Sequence, residues 1–104
     1  DAMIKSAGNR ISPQEIEEAA LATGLAAEAV ALGIPDERLG HAVHLVVRGT
    51  RDEDEQARLA KLLLKELPNF MQPQAIHWRD AMPLNPNGKI DRTALFRELA
   101  GAGA

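Results

Sequence analysis

The chain changes its hydrophobic period over a short distance, and that change restricts the fold more than any other feature. His41 to Arg48 reads HAVHLVVR, a run rich in β-branched residues that fits a strand. Glu53 to Leu67 then sets Ala57, Leu59, Ala60, Leu63, Leu64 and Leu67 along one side of a helix, which Pro68 stops. Between them, Thr50 to Asp54 is a charged turn, and the acidic residues near Glu53 suit a helix start, where the dipole favours negative charge. A strand and an amphipathic helix so joined need a sheet with helices laid on it.

The flanking segments extend that plan. Gly8-Asn9 lies between MIKSA and RIS, which predicts a β-hairpin over Met3 to Ser12 turning around Ala7-Gly8-Asn9. Ser12 is a good N-cap, Pro13 fits the first helical position, and Glu15 is the acid of a capping box. Ile16, Ala19, Ala20 and Thr23 follow at helical spacing, and Gly24 ends that helix. Val30, Leu32 and Ile34 alternate, which predicts a strand from about residue 28 to 34 before the loop DERLG. Ala75 to Asp80 reads as a short strand with His77 and Trp78 at core and rim. Asp91 caps a last helix through Leu99, with Leu95, Phe96 and Leu99 facing inward. The expected fold is α+β: a small sheet with helices packed on it, plus an N-terminal β-hairpin.

Composition narrows the function. With 104 residues and 45% hydrophobic, the chain suits one small folded domain. A net charge of −3 with both signs interspersed argues against a general nucleic-acid binder. The absence of cysteine excludes disulfides and thiolate metal sites and fits a reducing cytoplasm. No apolar run approaches the roughly 20 residues that span a bilayer. His41 and His44 stand three apart on a strand and so point to opposite faces, which leaves no shared metal site. The chain opens DAMIK, without Met at position 1, and ends Gly101-Ala102-Gly103-Ala104; residues 1–104 read as one domain of a longer protein.

The most specific local signal is PLNPNGKIDR, Pro83 to Arg92. Asn85-Pro86-Asn87-Gly88 is a tight turn, Gly88 permits positive φ and close approach, and Lys89 follows as a point charge on a flexible stem. Lys89 is either a ligand for a phosphate or carboxylate oxygen or a solvated loop lysine. A Walker A loop does not fit, because Pro83 and Ile90 stand where it needs Gly and Ser or Thr.

Two long stretches resemble a single family. DAMIKSAGNRISPQEIEE is similar to the motif D-x-x-I-K-x-x-G-x-R-I-x-x-x-E-I-E of adenylate-forming enzymes: acyl-CoA synthetases, peptide synthetase adenylation domains and luciferases. PLNPNGKIDRTAL resembles the terminal P-x-x-x-x-G-K-[IV]-x-R motif of the same superfamily. AAEAVALGIPDERLGHAVHLVV and LPNFMQPQAIHWRDAMPLNPNGK resemble the segments between. The resemblance covers nearly the whole chain and implies the C-terminal, mobile cap domain of such an enzyme, most like an acyl-CoA ligase, with the N-terminal ATP- and acyl-binding domain outside these residues.

The resemblance implies the chemistry as well. Family members use ATP and Mg2+ to turn a carboxylate into an acyl-adenylate, then pass the acyl group to coenzyme A or a carrier protein's phosphopantetheine. By position Lys89 matches the adenylation lysine, with Gly88 supporting its turn, and Asp1 matches the hinge. Lys5, Ser6, Ala7, Gly8, Asn9 and Arg10 match the loop that lines the pantetheine tunnel after the cap rotates; Asn9 stands where the family often has an aromatic residue. The implied partners are the protein's own N-terminal domain, a carboxylic acid, and CoA or an acyl carrier protein. A lysine acetyltransferase acting on Lys89 is a further one, since acetylation removes its charge. The isolated domain is expected to be inactive. An amino-acid adenylation domain and a stand-alone binding module are the alternatives.

Overall fold

The structure is a computed structural model that describes residues 3–102; Asp1, matched above to the hinge, lies outside the described residues. Strands β1 (Ile4–Ser6) and β2 (Asn9–Ile11) form the expected hairpin. Helix α1 (Pro13–Ala22) follows at once, with Ser12 Oγ accepting from the Glu15 amide. Only this half of the capping box forms among the described residues. Thr23 is a cap and not part of the apolar stripe: its hydroxyl donates to the Ala20 carbonyl and accepts from the Leu25 amide. Gly24, at φ +76°, lets the chain leave the helix.

Strands β3 (Ala26–Asp36) and β4 (Gly40–Gly49) form a long antiparallel pair, from Ala26↔Gly49 to Asp36↔Gly40. β3 is thus longer than the expected 28–34. It continues through Pro35 because it is an edge strand, where a missing N–H breaks no ladder. DERLG shrinks to a tight turn in which Asp36 Oδ1 accepts from the amides of Arg38 and Leu39. Helix α2 (Glu53–Glu66), capped by Asp52, carries the chain across to β5 (Ala75–Arg79), which pairs parallel to β4. A short 3₁₀ turn, Asn69–Met71, precedes β5, and Gln72 donates to the Leu67 carbonyl just past α2 and to the Leu63 carbonyl, which also accepts from the Leu67 amide. Asp80 falls just outside β5 and pairs with Arg51. Helix α3 (Arg92–Ala102) closes the fold.

The sheet order β3-β4-β5 separates two apolar layers. Ala31, Val43, Leu45 and Val47 face α1, α2 and the hairpin, where Ile4, Ile11, Ile16, Leu59 and Leu63 are buried. Val30 and Val46 face Met82 and α3 through Leu95. Each such aliphatic side chain contributes about 1.5–3 kcal/mol on burial. The α2 stripe is narrower than expected: Leu59, Leu63 and Leu67 are buried, whereas Ala57 and Leu64 are exposed, because a three-stranded sheet offers this helix a single row of contacts. Phe96 also departs from its expected inward position and is 37% exposed. Among the described residues, no helix is long and apolar enough to cross a membrane.

Candidate functional site

The stretch between β5 and α3 is a closed turn. Leu84 and Ile90 form an antiparallel bridge at its base. The Asn85 amide donates to the Lys89 carbonyl at 2.7 Å, and the Gly88 amide donates back to the Asn85 carbonyl at 2.9 Å. Asn85 does more than occupy a turn position. Its side-chain Oδ1 accepts from the Asn87 amide at 2.9 Å and the Lys89 amide at 3.0 Å. This is an Asx turn, with the side chain standing in for a backbone carbonyl. Gly88 sits at φ +78°, a region that costs an L-residue roughly 1–2 kcal/mol. The glycine is needed for that torsion, since no atom of the chain lies within 4 Å of where a Cβ would stand.

Both ends of the turn are anchored. Met82 is buried, and Ile90 packs against the same cluster as Leu95. The Asp91 amide donates to the Pro83 carbonyl at 2.8 Å, and Asp91 Oδ1 caps α3 by accepting from Ala94 at 3.0 Å. The backbone of Lys89 is therefore fixed while its side chain is exposed. Its ammonium forms no ion pair among the described residues. Such a group can meet an anionic oxygen on a ligand without first breaking an internal pair. Sequence reasoning placed Asn85 in the turn but missed its side-chain acceptor role, for which asparagine at the head of Asn-Pro-Asn-Gly was the available signal.

The second group of candidates forms one hairpin. Ala7 at φ 51° and Gly8 at φ 83° are its two-residue turn, so Asn9 belongs to β2 and pairs with Ser6. Ile4 and Ile11 bury the hairpin's base, and the Ala7 amide donates to the Leu39 carbonyl at 2.8 Å, which ties its tip to the β3–β4 turn. Ser6 is buried, Asn9 is half-buried, and Gly8 is exposed. Lys5 and Arg10 are direct cross-strand partners and both are exposed, so two cations share one outward face. No hydrogen bond or ion pair joins this hairpin to the Lys89 turn among the described residues. A groove of about 910 Å³ runs between Lys5, Gly33, His41, Arg92 and Phe96, and Lys89 is not part of its lining.

His41 and His44 stay apart, as the alternation requires, but His44 has another partner. Its Nδ1 lies 2.9 Å from Nε2 of His77 on β5. The ring centroids are 5.1 Å apart and the planes differ by 13°. Two nearly parallel rings with that separation and that nitrogen contact meet edge to edge, so one ring donates the single proton between them. Burial, and then the nearby His77, hold the His44 pKa below its ordinary value, with Asp36 pulling the other way.

Residues 15–89 match the family described as AMP-binding enzyme C-terminal domain. The chain is 40% identical over 95 residues to tyrocidine synthase 2 of Brevibacillus parabrevis, covering 91% of this chain and 3% of that protein. It is 36% identical over 101 residues to an L-proline--[L-prolyl-carrier protein] ligase of Pseudomonas fluorescens, covering 97% of this chain and 20% of that one. In structure it resembles an acyl-CoA synthetase of Brucella canis, with a TM-score of 0.86 and 28% identity, over 100% of this chain and 20% of that chain. The chain thus spans 20% or less of the length of these proteins.

Proposed function

Because the chain belongs to the AMP-binding enzyme C-terminal domain family, we propose that it is the mobile cap of an ATP-dependent, AMP-forming acid–thiol ligase. Lys89 is its adenylation lysine. The observation that carries this reading is the Asn85–Lys89 turn, which fixes the lysine backbone by four hydrogen bonds and leaves the ammonium exposed and unpaired among the described residues. In the first half-reaction a carboxylate oxygen attacks the α-phosphorus of ATP and pyrophosphate departs. Lys89 Nζ sits between the carboxylate and the α-phosphate oxygens as charge gathers there. A unit charge pair about 4 Å apart is worth ~4 kcal/mol at an effective dielectric near 20, and closing the site around it raises that value. Acetylation of Lys89 by a lysine acetyltransferase would remove this charge.

In the second half-reaction the cap turns about Asp1 and presents the hairpin Lys5 to Arg10 to the acceptor thiol. The paired cations Lys5 and Arg10 suit the phosphate of a phosphopantetheine arm, and the exposed Gly8 lets that arm pass close to the backbone. By the family resemblance, ATP, the acyl pocket and Mg2+ are assigned to the N-terminal domain. In this reading the cap alone is inactive, and the cysteine-free composition fits a cytoplasmic ligase. Coenzyme A is the acceptor we favour, in keeping with the Ser12-Pro13 helix start and the likeness to an acyl-CoA synthetase structure. A carrier-protein acceptor is the second reading, favoured by 36% identity to a prolyl-carrier protein ligase.

The test uses the full-length protein, wild type and Lys89→Ala. ATP–pyrophosphate exchange is measured over fatty, aromatic and amino acids, and thioester formation is measured separately from preformed acyl-adenylate with CoA or a carrier protein. Loss of exchange with the second step intact supports the assignment, and the acceptor that turns over separates the two readings. Exchange that survives the substitution refutes the role of Lys89.

A further inference from the structure

We infer that Glu17 is a positioning residue for Lys89, acting through Arg92; the inference rests on the adenylation role proposed for Lys89. Glu17 lies on α1, and its Oε2 accepts three hydrogen bonds from two other elements. The Ala31 amide of β3 donates at 2.8 Å. Arg92 Nη1 and Nη2 donate at 3.0 and 2.5 Å. The Glu17 side chain is only 12% exposed, whereas Arg92 is 47% exposed. A single oxygen that receives a charged fork and a backbone amide is a fixed junction rather than a surface pair screened by water.

Its place in the fold gives the junction its effect. β3 is an edge strand, and the Ala31 amide points away from β4. Glu17 therefore covers the open edge of the sheet and, at that edge, collects Arg92. α1 packs on one face of the sheet and α3 on the other. The junction fastens the first residue of α3 to the far layer around the edge. Arg92 follows Lys89 by three residues, with Ile90 bridged to Leu84 and Asp91 capping the helix between them. Farther along, α3 is held by buried Leu95 and by the Arg79–Glu98 pair. Leu95 closes the first turn and Glu98 lies beyond it, so Arg92 is the α3 residue nearest the Lys89 turn that another element holds.

The hairpin of the second half-reaction is held separately. Ile4 and Ile11 share the core with Ile16, and Ala7 is bound to Leu39. Releasing Arg92 thus removes one anchor beside the Lys89 turn and leaves the hairpin in place. The two half-reactions should respond differently, which a merely structural role for Glu17 would not produce.

The experiment compares Glu17→Gln, Arg92→Met, Arg92→Lys and Lys89→Ala in the full-length protein. Glu17→Gln keeps an oxygen for the Ala31 amide and removes the charge that holds Arg92, so the fold is retained. Arg92→Met strands a mostly buried carboxylate and carries the larger risk of misfolding. Arg92→Lys keeps the charge without the fork. A misplacement near 1 Å costs up to about 100-fold, so Glu17→Gln should lower the kcat of ATP–pyrophosphate exchange about 10- to 100-fold, with KM for ATP little changed. Thioester formation from preformed acyl-adenylate should stay within about twofold of wild type. Arg92→Lys should fall between wild type and Glu17→Gln. If Lys89→Ala abolishes exchange and Glu17→Gln does not lower it, the inference fails and the reading of Lys89 stands. If Lys89→Ala leaves exchange intact, the underlying reading fails. If Glu17→Gln lowers both half-reactions together with the thermal midpoint, Glu17 is only structural and the inference is overturned.

Discussion

Replacing Asn85 by alanine in the full-length protein removes the acceptor of two backbone amides, Asn87 at 2.9 Å and Lys89 at 3.0 Å, without touching the lysine itself. Both bonds are exposed, so water takes over part of each, and a net loss near the lower half of the usual 0.5–1.5 kcal/mol per bond applies. The pair then contributes about 1–2 kcal/mol to the closed turn. The Asn85 amide to Lys89 carbonyl bond, the Gly88 to Asn85 bond and the Leu84–Ile90 bridge remain. The closed-to-open ratio of the turn therefore falls by a factor of about 5–30, which bounds the fall in the competent population. ATP–pyrophosphate exchange should fall by more than about twofold and by at most that factor, well short of the loss caused by Lys89→Ala. Asn85→Asp keeps the acceptor oxygen and should retain more exchange than the alanine variant. Exchange within about twofold of wild type for Asn85→Ala would refute the argument that the side-chain acceptor aims the lysine. So would an aspartate variant as impaired as the alanine one.

Two further outcomes test the fold. A Cβ at Gly49 would lie 2.7 Å from the Leu25 carbonyl oxygen and 3.0 Å from Trp78 Cζ3, so Gly49→Ala forces a backbone shift. A loss of about 1–3 kcal/mol is expected, at about 4–8 °C of thermal midpoint per kcal/mol, whereas Gly88→Ala meets no atom and bears only its torsion; an unchanged midpoint for Gly49→Ala would contradict this. Because the folded-state pKa of His44 is lowered, the unfolded chain binds the proton more readily. The stability contributed by neutral His44 is complete above the ordinary histidine pKa of about 6.5 and is lost as pH falls from there toward the lowered value. Thermal midpoints measured from about pH 8 down to pH 5 should drop for wild type and drop less for His44→Gln; identical slopes would count against the His44–His77 pair.

Much of the fold was legible because its punctuation is local. Ser12, Gly24, Pro68 and Asp91 act on the backbone beside them, so the order of hairpin, helix, strand, strand, helix, strand, loop and helix follows from the sequence. The misreadings have one physical origin. The expected strand stopped near residue 34, yet Pro35 lies within β3, because only the sheet order makes β3 an edge. Leu64 and Phe96 looked like core residues and are exposed, because only the number of strands sets how much of each helix is covered.

The same division runs through the candidate site. Sequence alone determined that a turn would present Lys89 and that a hairpin would carry Lys5 to Arg10, since Asn, Gly and Pro act within a few residues of themselves. It could not say that Glu17 meets Arg92 across 75 residues or His44 meets His77 across 33. The first contact depends on two helices on opposite faces meeting at one sheet edge, and the second on the register of the parallel strand β5. Register and layering come from burying the two apolar faces of the whole sheet at once, and only the tertiary structure decides which distant side chains that burial brings together.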